Sequence, residues 1–119
     1  MKLNSRIHGI IDYGVVIFLW LSPTFFGLPQ ITALFTYILG GVHLALTILT
    51  DFEMGLLKIV PLKVHGWIEL IVSIILVGVA FYLDTLEGLI AKYFYLGFAL
   101  AVFVTYIFSD YKLTEKKNV

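Results

Sequence analysis

Hydrophobic residues along this chain fall into four long stretches, at residues 7–26, 31–52, 64–83 and 89–108. Each is close to the roughly 20 residues that an α-helix needs to cross a bilayer core about 30 Å thick. Short polar, glycine- or proline-containing breaks separate them at residues 27–29, 53–63 and 84–88. Because short connections make consecutive helices antiparallel neighbours, the pattern predicts an all-α fold. We expect residues 1–119 to form a single transmembrane domain, an integral membrane four-helix bundle built from two helical hairpins.

The composition supports a membrane protein. Hydrophobic residues make up 61% of the chain and charged residues 13%, whereas soluble domains are about 45–50% apolar and about 25% charged. The lipid bilayer is therefore the expected partner. A formal net charge of zero and the lack of a basic run argue against nucleic acid as a partner. The chain has no cysteine, which excludes disulfides, iron–sulfur clusters and thiol catalysis.

The basic residues predict an orientation. Seven of the eight fall on one side of the four predicted spans, and only Lys92 falls on the other. The seven are Lys2, Arg6, Lys58, Lys63, Lys112, Lys116 and Lys117. Positive residues collect in cytoplasmic loops, so we expect a multi-pass protein of the cell membrane with both termini in the cytoplasm.

The chain also contains an internal repeat. The sequence RIHGIID at residues 6–12 aligns with KVHGWIE at residues 63–69, 57 positions later. Tyr37 and Thr47 align with Tyr95 and Thr105 at an offset of 58, and residues 51–52 align with residues 110–111 at an offset of 59. The sequence therefore predicts two tandem repeats of two helices each, at residues 6–53 and 63–112.

Ionisable residues within the spans form the candidate site. Polar groups inside a membrane are costly, and each is by default a candidate functional group. The first and third helices each carry a His-x-x-x-acid pair on one face. The second and fourth each end at an aspartate, at the same cytoplasmic level of the bundle. The six candidate ligands are His8, Asp12, Asp51, His65, Glu69 and Asp110.

Two imidazoles and four carboxylates form a donor set that suits a divalent metal, namely zinc, iron or manganese. Bundles that hold metals use a similar inventory of histidines and carboxylates on facing helices. The same residues are compatible with other functions. The carboxylates could pair with Arg6, Lys63 and the histidines in a structural or accessory protein without a ligand. His8 and His65 could instead ligate haem.

A third histidine suggests a further alternative. His43 lies in the middle of the second predicted span, and its counterpart in the fourth is Ala101. Thr47 and Asp51 follow at successive turns, which makes a polar stripe running inward from the cytoplasmic end. Together with Asp12 and Glu69, His43 and Thr47 could form part of a proton or ion path or of a small transporter. His43 could instead ligate haem, or bond to the backbone or a hydroxyl group of a neighbouring helix. The sequence does not decide whether the protein is an enzyme, nor whether it pairs with itself or with another membrane protein.

Several short motifs are similar to those of the bacterial SPW-repeat membrane proteins. They are IHGIIDY at residues 7–13, LSP at 21–23, FG at 26–27, LTDFEMG at 49–55 and IVP at 59–61. Thr24 stands where that family has its tryptophan, and Val79-Ala80 where its Ser-Pro recurs. The resemblance implies a small membrane protein made of duplicated two-helix units, and it implies no particular activity.

Overall fold

The fold, seen in a computed structural model that describes residues 3–109, is an all-helical bundle of four helices. The helices are α1 (Ser5–Phe25), α2 (Gln30–Leu49), α3 (Leu62–Glu87) and α4 (Leu89–Phe108). Two very short strands, β1 (Thr50–Asp51) and β2 (Val60–Pro61), connect α2 to α3 and pair in parallel. The bundle measures 54 × 23 × 21 Å. The predicted all-α four-helix architecture is confirmed.

The helices begin at residues that favour a helix start. The Asn4 side chain accepts a hydrogen bond from the Ile7 N–H and so caps α1. Pro29 and Pro61 directly precede α2 and α3, where the missing proline N–H breaks no helical bond. The break predicted at residues 84–88 is shorter than expected, since α3 continues to Glu87. Gly88 alone joins α3 to α4, with a φ of 94° that suits glycine.

The end of α2 differs most from the sequence prediction. The apolar stretch suggested a helix to residue 52, but α2 ends at Leu49 and the chain continues as β1. The following loop folds back onto the helix end: the N–H groups of Leu56 and Leu57 donate to the carbonyl of Ile48, and that of Ile59 to the carbonyl of Leu49. These bonds satisfy carbonyls that a helix end leaves open, so the loop itself terminates the helix.

Polar side chains are concentrated inside the bundle and apolar ones outside it. Among the described residues, twelve buried side chains are polar or charged and, proline apart, eleven are aliphatic or aromatic. Many large apolar side chains are exposed, such as Phe25, Leu21 and Ile17. In water this distribution would be unfavourable, whereas in lipid an apolar exterior is expected. All four helices are long and apolar enough to cross a membrane, which indicates a multi-pass membrane protein.

Contacts at both ends of the bundle join the two hairpins. At one end, Thr50 pairs with Val60 in the β1–β2 ladder, and Leu3 forms a parallel bridge with Ser109. At the other end, the Glu87 carboxylate accepts hydrogen bonds from the N–H groups of Ile31 and Thr32. Glu87 of α3 thereby caps the start of α2, because its negative charge meets unpaired N–H groups at a helix N-terminus.

Candidate metal centre

Four ionisable side chains meet inside the bundle, two from α1 and two from α3. His8, Asp12, His65 and Glu69 are 1%, 2%, 0% and 6% exposed. Each contributes one atom to a group in which all four atoms lie within 4.8 Å of one another. The i,i+4 spacing places each histidine and its acid on one helix face, and the two faces point at each other.

Nitrogen and oxygen alternate around this group. The Nε2 atom of His8 is 3.2 Å from Asp12 Oδ2 and 2.9 Å from Glu69 Oε2. The Nε2 atom of His65 is 3.1 Å from Asp12 Oδ2 and 3.4 Å from Glu69 Oε2. Each carboxylate therefore contacts the imidazole of its own helix and that of the other helix.

Each imidazole also contacts a hydroxyl group through its other ring nitrogen, Nδ1. The Nδ1 atom of His8 is 2.6 Å from Ser109 Oγ, and that of His65 is 2.7 Å from Thr50 Oγ1. Each hydroxyl donates its proton to the carbonyl four residues earlier, in the last turn of the preceding helix: Ser109 to Thr105 and Thr50 to Leu46.

Because a hydroxyl has only one proton to donate, it must accept from the imidazole. Nδ1 therefore carries a proton in both histidines, and in the neutral ring the lone pair lies on Nε2. Both Nε2 lone pairs are then directed at the two carboxylates. Histidines that bind metals are usually fixed in this way, through a hydrogen bond from the other ring nitrogen.

The loop after α2 closes the site at this end of the bundle. Phe52 is 1% exposed, and its ring centroid lies 6.2 Å from that of His65. Gly9, next to His8, lets the loop approach α1, since a Cβ atom there would lie 2.5 Å from Met54 Cγ. Ser5 donates a hydrogen bond to the Glu53 carboxylate, 2.6 Å away. These contacts separate the four ligands from the surface on the loop side.

His43 of α2 approaches the site from the opposite direction. Its Nε2 atom is 3.6 Å from Asp12 Oδ1, and it borders a cavity whose wall also includes Asp12 and Glu69. Thr47, one turn later, is fully buried and donates to the His43 carbonyl. In the polar stripe predicted from the sequence, His43 thus contacts Asp12, whereas the Thr47 hydroxyl bonds to the backbone of its own helix.

The structure brings together four of the six predicted ligands. Asp51 is exposed and lies outside the group, because the chain is extended there and successive side chains alternate in direction. Thr50 and Phe52 point inward and Asp51 outward. Asp110 lies outside the described residues.

Sequence reasoning missed the two hydroxyl residues that support the histidines. Thr50 and Ser109 directly precede the predicted ligands Asp51 and Asp110, and they lie 59 positions apart, as those aspartates do. The repeat therefore carries a signal for this pair, but a hydroxyl group is a weaker candidate ligand than the carboxylate beside it.

The geometry of the group is compatible with a single divalent transition metal. Two ligand atoms bound to tetrahedral zinc at 2.0–2.1 Å lie about 3.3 Å apart. The four N–O distances here are 2.9–3.4 Å, and all the distances among the four atoms are within 4.8 Å. Asp12 Oδ2, His43 Nε2 and His65 Nε2 are buried and have no well-oriented hydrogen bond among the described residues. Buried polar atoms of this kind normally have a partner. An ion between the four ligands would satisfy Asp12 and His65.

Haem fits less well. The carboxylate oxygens of Asp12 and Glu69 lie within 3.4 Å of the histidine Nε2 atoms. They occupy the space between the imidazoles that a porphyrin ligated by both would need. The sequence alternative of a haem held by His8 and His65 is therefore not favoured by this arrangement.

Comparison with known proteins gives no family assignment. Searches for a matching family, curated protein or solved structure found none for this chain. The resemblance to SPW-repeat proteins stays a prediction from sequence.

Proposed function

We propose that this protein is a multi-pass membrane protein that binds one divalent transition-metal ion through His8, Asp12, His65 and Glu69. The observation that supports this most is the orientation of both imidazoles. Their Nδ1 protons are bound by Ser109 and Thr50, which directs both Nε2 atoms at the carboxylates. This donor set of two nitrogens and two oxygens suits zinc, iron or manganese.

The charge of the site supports an ion. Two buried carboxylates next to two neutral imidazoles carry a charge of −2, and such a charge inside a membrane is costly. A divalent ion brings the total to zero without needing any proton. The competing explanation is that both histidines are protonated, which also gives zero and requires only hydrogen bonds and ion pairs. The two explanations differ in whether the purified protein contains metal.

The placement in the membrane is part of the proposal. The excess of basic residues on one side supports cytoplasmic termini and a metal site near the cytoplasmic surface. The matching roles of His8 and His65, of Asp12 and Glu69, and of Ser109 and Thr50 support the repeat prediction. They also support the resemblance to proteins with duplicated two-helix units.

The decisive experiment measures metal in protein purified in detergent. Wild-type protein should contain close to one equivalent of a transition metal by elemental analysis, or take up one equivalent of added Zn²⁺. Asp12→Asn and Glu69→Gln should each lose most of it, because they keep the side-chain shape but remove a negatively charged ligand. Asp51→Asn is the matched control, since Asp51 is exposed and lies outside the group.

Thermal unfolding gives a second measurement. An ion that binds only the folded state at 100 times its Kd stabilises by about 2.7 kcal/mol, so a chelator should lower the melting temperature of wild type but not of Asp12→Asn. Metal-free wild-type protein with a melting temperature unaffected by chelator and by added metal would exclude the proposal. A protonated network or an ion path would then be the better explanation.

A further inference from the structure

A cavity lies beside the four ligands in the centre of the bundle. Side chains from all four helices line it, and it has a volume of about 80 Å³, enough for several waters or a molecule of a few heavy atoms. Its polar wall consists of Asp12, His43, Glu69 and Thr105, and the remaining wall is apolar. The cavity therefore reaches the candidate site from the carboxylate side, opposite the loop that closes it.

The wall of the cavity reaches the outer surface of the bundle at Ala101. This residue of α4 lines the cavity and is also exposed on the outside. Together with Phe98 it also borders an outer groove formed by Phe18, Phe26 and Phe94. Since the exposed surface here is apolar, the opening faces the region that lipid would occupy.

Ala101 occupies the position in the second hairpin that corresponds to His43 in the first. His43 places an imidazole against Asp12, while the small Ala101 side chain leaves space in the equivalent direction. The site is thus nearly symmetric in its four ligands and asymmetric in the residues that face the cavity. This asymmetry produces both an opening and one extra polar group.

We propose that this cavity admits a small uncharged molecule from the bilayer interior, of the size and polarity of dioxygen, to the metal. The inference rests on the proposed metal site and adds to it an open side and a class of ligand. A charged molecule is disfavoured because it would have to pass an apolar entrance within the membrane. His43 Nε2 is buried, lies 3.6 Å from Asp12 Oδ1 and has no well-oriented hydrogen bond within residues 3–109, so it is positioned to bond the incoming molecule.

The test uses full-length protein in lipid nanodiscs, loaded with Fe²⁺ without oxygen and exposed to nitric oxide. Nitric oxide is small, uncharged and soluble in lipid, and its complex with Fe²⁺ has a characteristic electron paramagnetic resonance signal. We expect wild-type protein to give this signal and azide, a small anion, to cause no spectral change. Ala101→Leu should slow the binding of nitric oxide by about tenfold or more, because leucine fills the opening.

Two further variants make the test specific. Ala45→Leu is the matched control, since Ala45 is exposed on α2 and does not line the cavity. It should bind nitric oxide at the wild-type rate. His43→Leu leaves all four metal ligands in place and should release nitric oxide about tenfold faster, as expected for the loss of one hydrogen bond. It also tests the cavity if Ala101→Leu does not fold.

The outcomes separate the two proposals. Wild-type protein that binds no metal at all would overturn both. Protein that binds zinc but not iron, or that binds iron but not nitric oxide, would overturn this inference and leave the metal site intact. Equal rates for Ala101→Leu and Ala45→Leu, together with unchanged release from His43→Leu, would show that the cavity is not the route.

Discussion

The Thr50 hydroxyl provides the sharpest test of how the proposed metal ligands are oriented. Its Oγ1 atom is 2.7 Å from the Nδ1 atom of His65, and both residues are fully buried. Thr50→Val keeps the side-chain shape but leaves the Nδ1–H group without its acceptor. A buried donor without a partner costs about 1–3 kcal/mol, and loss of such a partner to a metal-binding histidine typically weakens metal affinity 10–100-fold.

The measurement is Zn²⁺ affinity, by competition with a chromophoric chelator in detergent. Thr47→Val is the matched control. Thr47 is also fully buried and, like Thr50, donates its proton to the carbonyl four residues earlier, at His43. Both variants therefore lose one such bond, but only Thr50→Val affects an imidazole. We expect at least about tenfold weaker binding for Thr50→Val and less than about threefold for the control.

Ser109→Ala extends the same test to the other histidine. The Ser109 hydroxyl is 2.6 Å from His8 Nδ1, so the loss of affinity should be similar to that of Thr50→Val. If all three variants bind Zn²⁺ equally well, the hydroxyl groups do not orient the imidazoles and the reasoning from the proton positions is refuted.

Two other predictions concern packing and topology. Gly9→Ala should lower the free energy of unfolding by about 1–3 kcal/mol, because the added Cβ would overlap Met54. The control is Gly14→Ala, whose Cβ would meet no atom of the described residues within 4 Å; it should be neutral or up to about 1 kcal/mol stabilising in thermal unfolding. The chain has no cysteine, so Lys58→Cys should react with a membrane-impermeant maleimide only from the cytoplasmic side. Labelling of Lys58→Cys in intact cells would contradict the proposed orientation.

Much of the fold was predictable because hydrophobicity determines it. Four apolar stretches of about 20 residues predict four helices, and the fourth, residues 89–108, matches α4. The His-x-x-x-acid pairs were predictable for a similar reason, since a spacing of four places both side chains on one helix face. Their meeting inside the bundle follows from the high cost of exposing them to lipid.

The part of the site after α2 was not predictable from the same pattern. Apolar residues continue past Leu49, so hydrophobicity gives no sign that the helix ends there. The end depends on hydrogen bonds from Leu56, Leu57 and Ile59 to the last carbonyls of α2, which involve a loop without a regular pattern. Residues 50–52 lie beyond the end of α2 and not within it as predicted, and the extended conformation of Thr50 and Asp51 turns Asp51 outward and Thr50 inward.

Each histidine is supported by a hydroxyl group from the other hairpin, and this has a consequence for how the protein is assembled. His8 lies at the start of α1 but is supported by Ser109 after α4, and His65 of α3 is supported by Thr50 after α2. Neither hairpin alone contains a histidine together with its own supporting hydroxyl. The first hairpin, inserted during synthesis, would therefore present an imidazole that lacks its partner until α4 is in place. If the site binds metal as proposed, a high-affinity centre would form only in a fully inserted chain, and metal uptake would indicate that membrane assembly is complete.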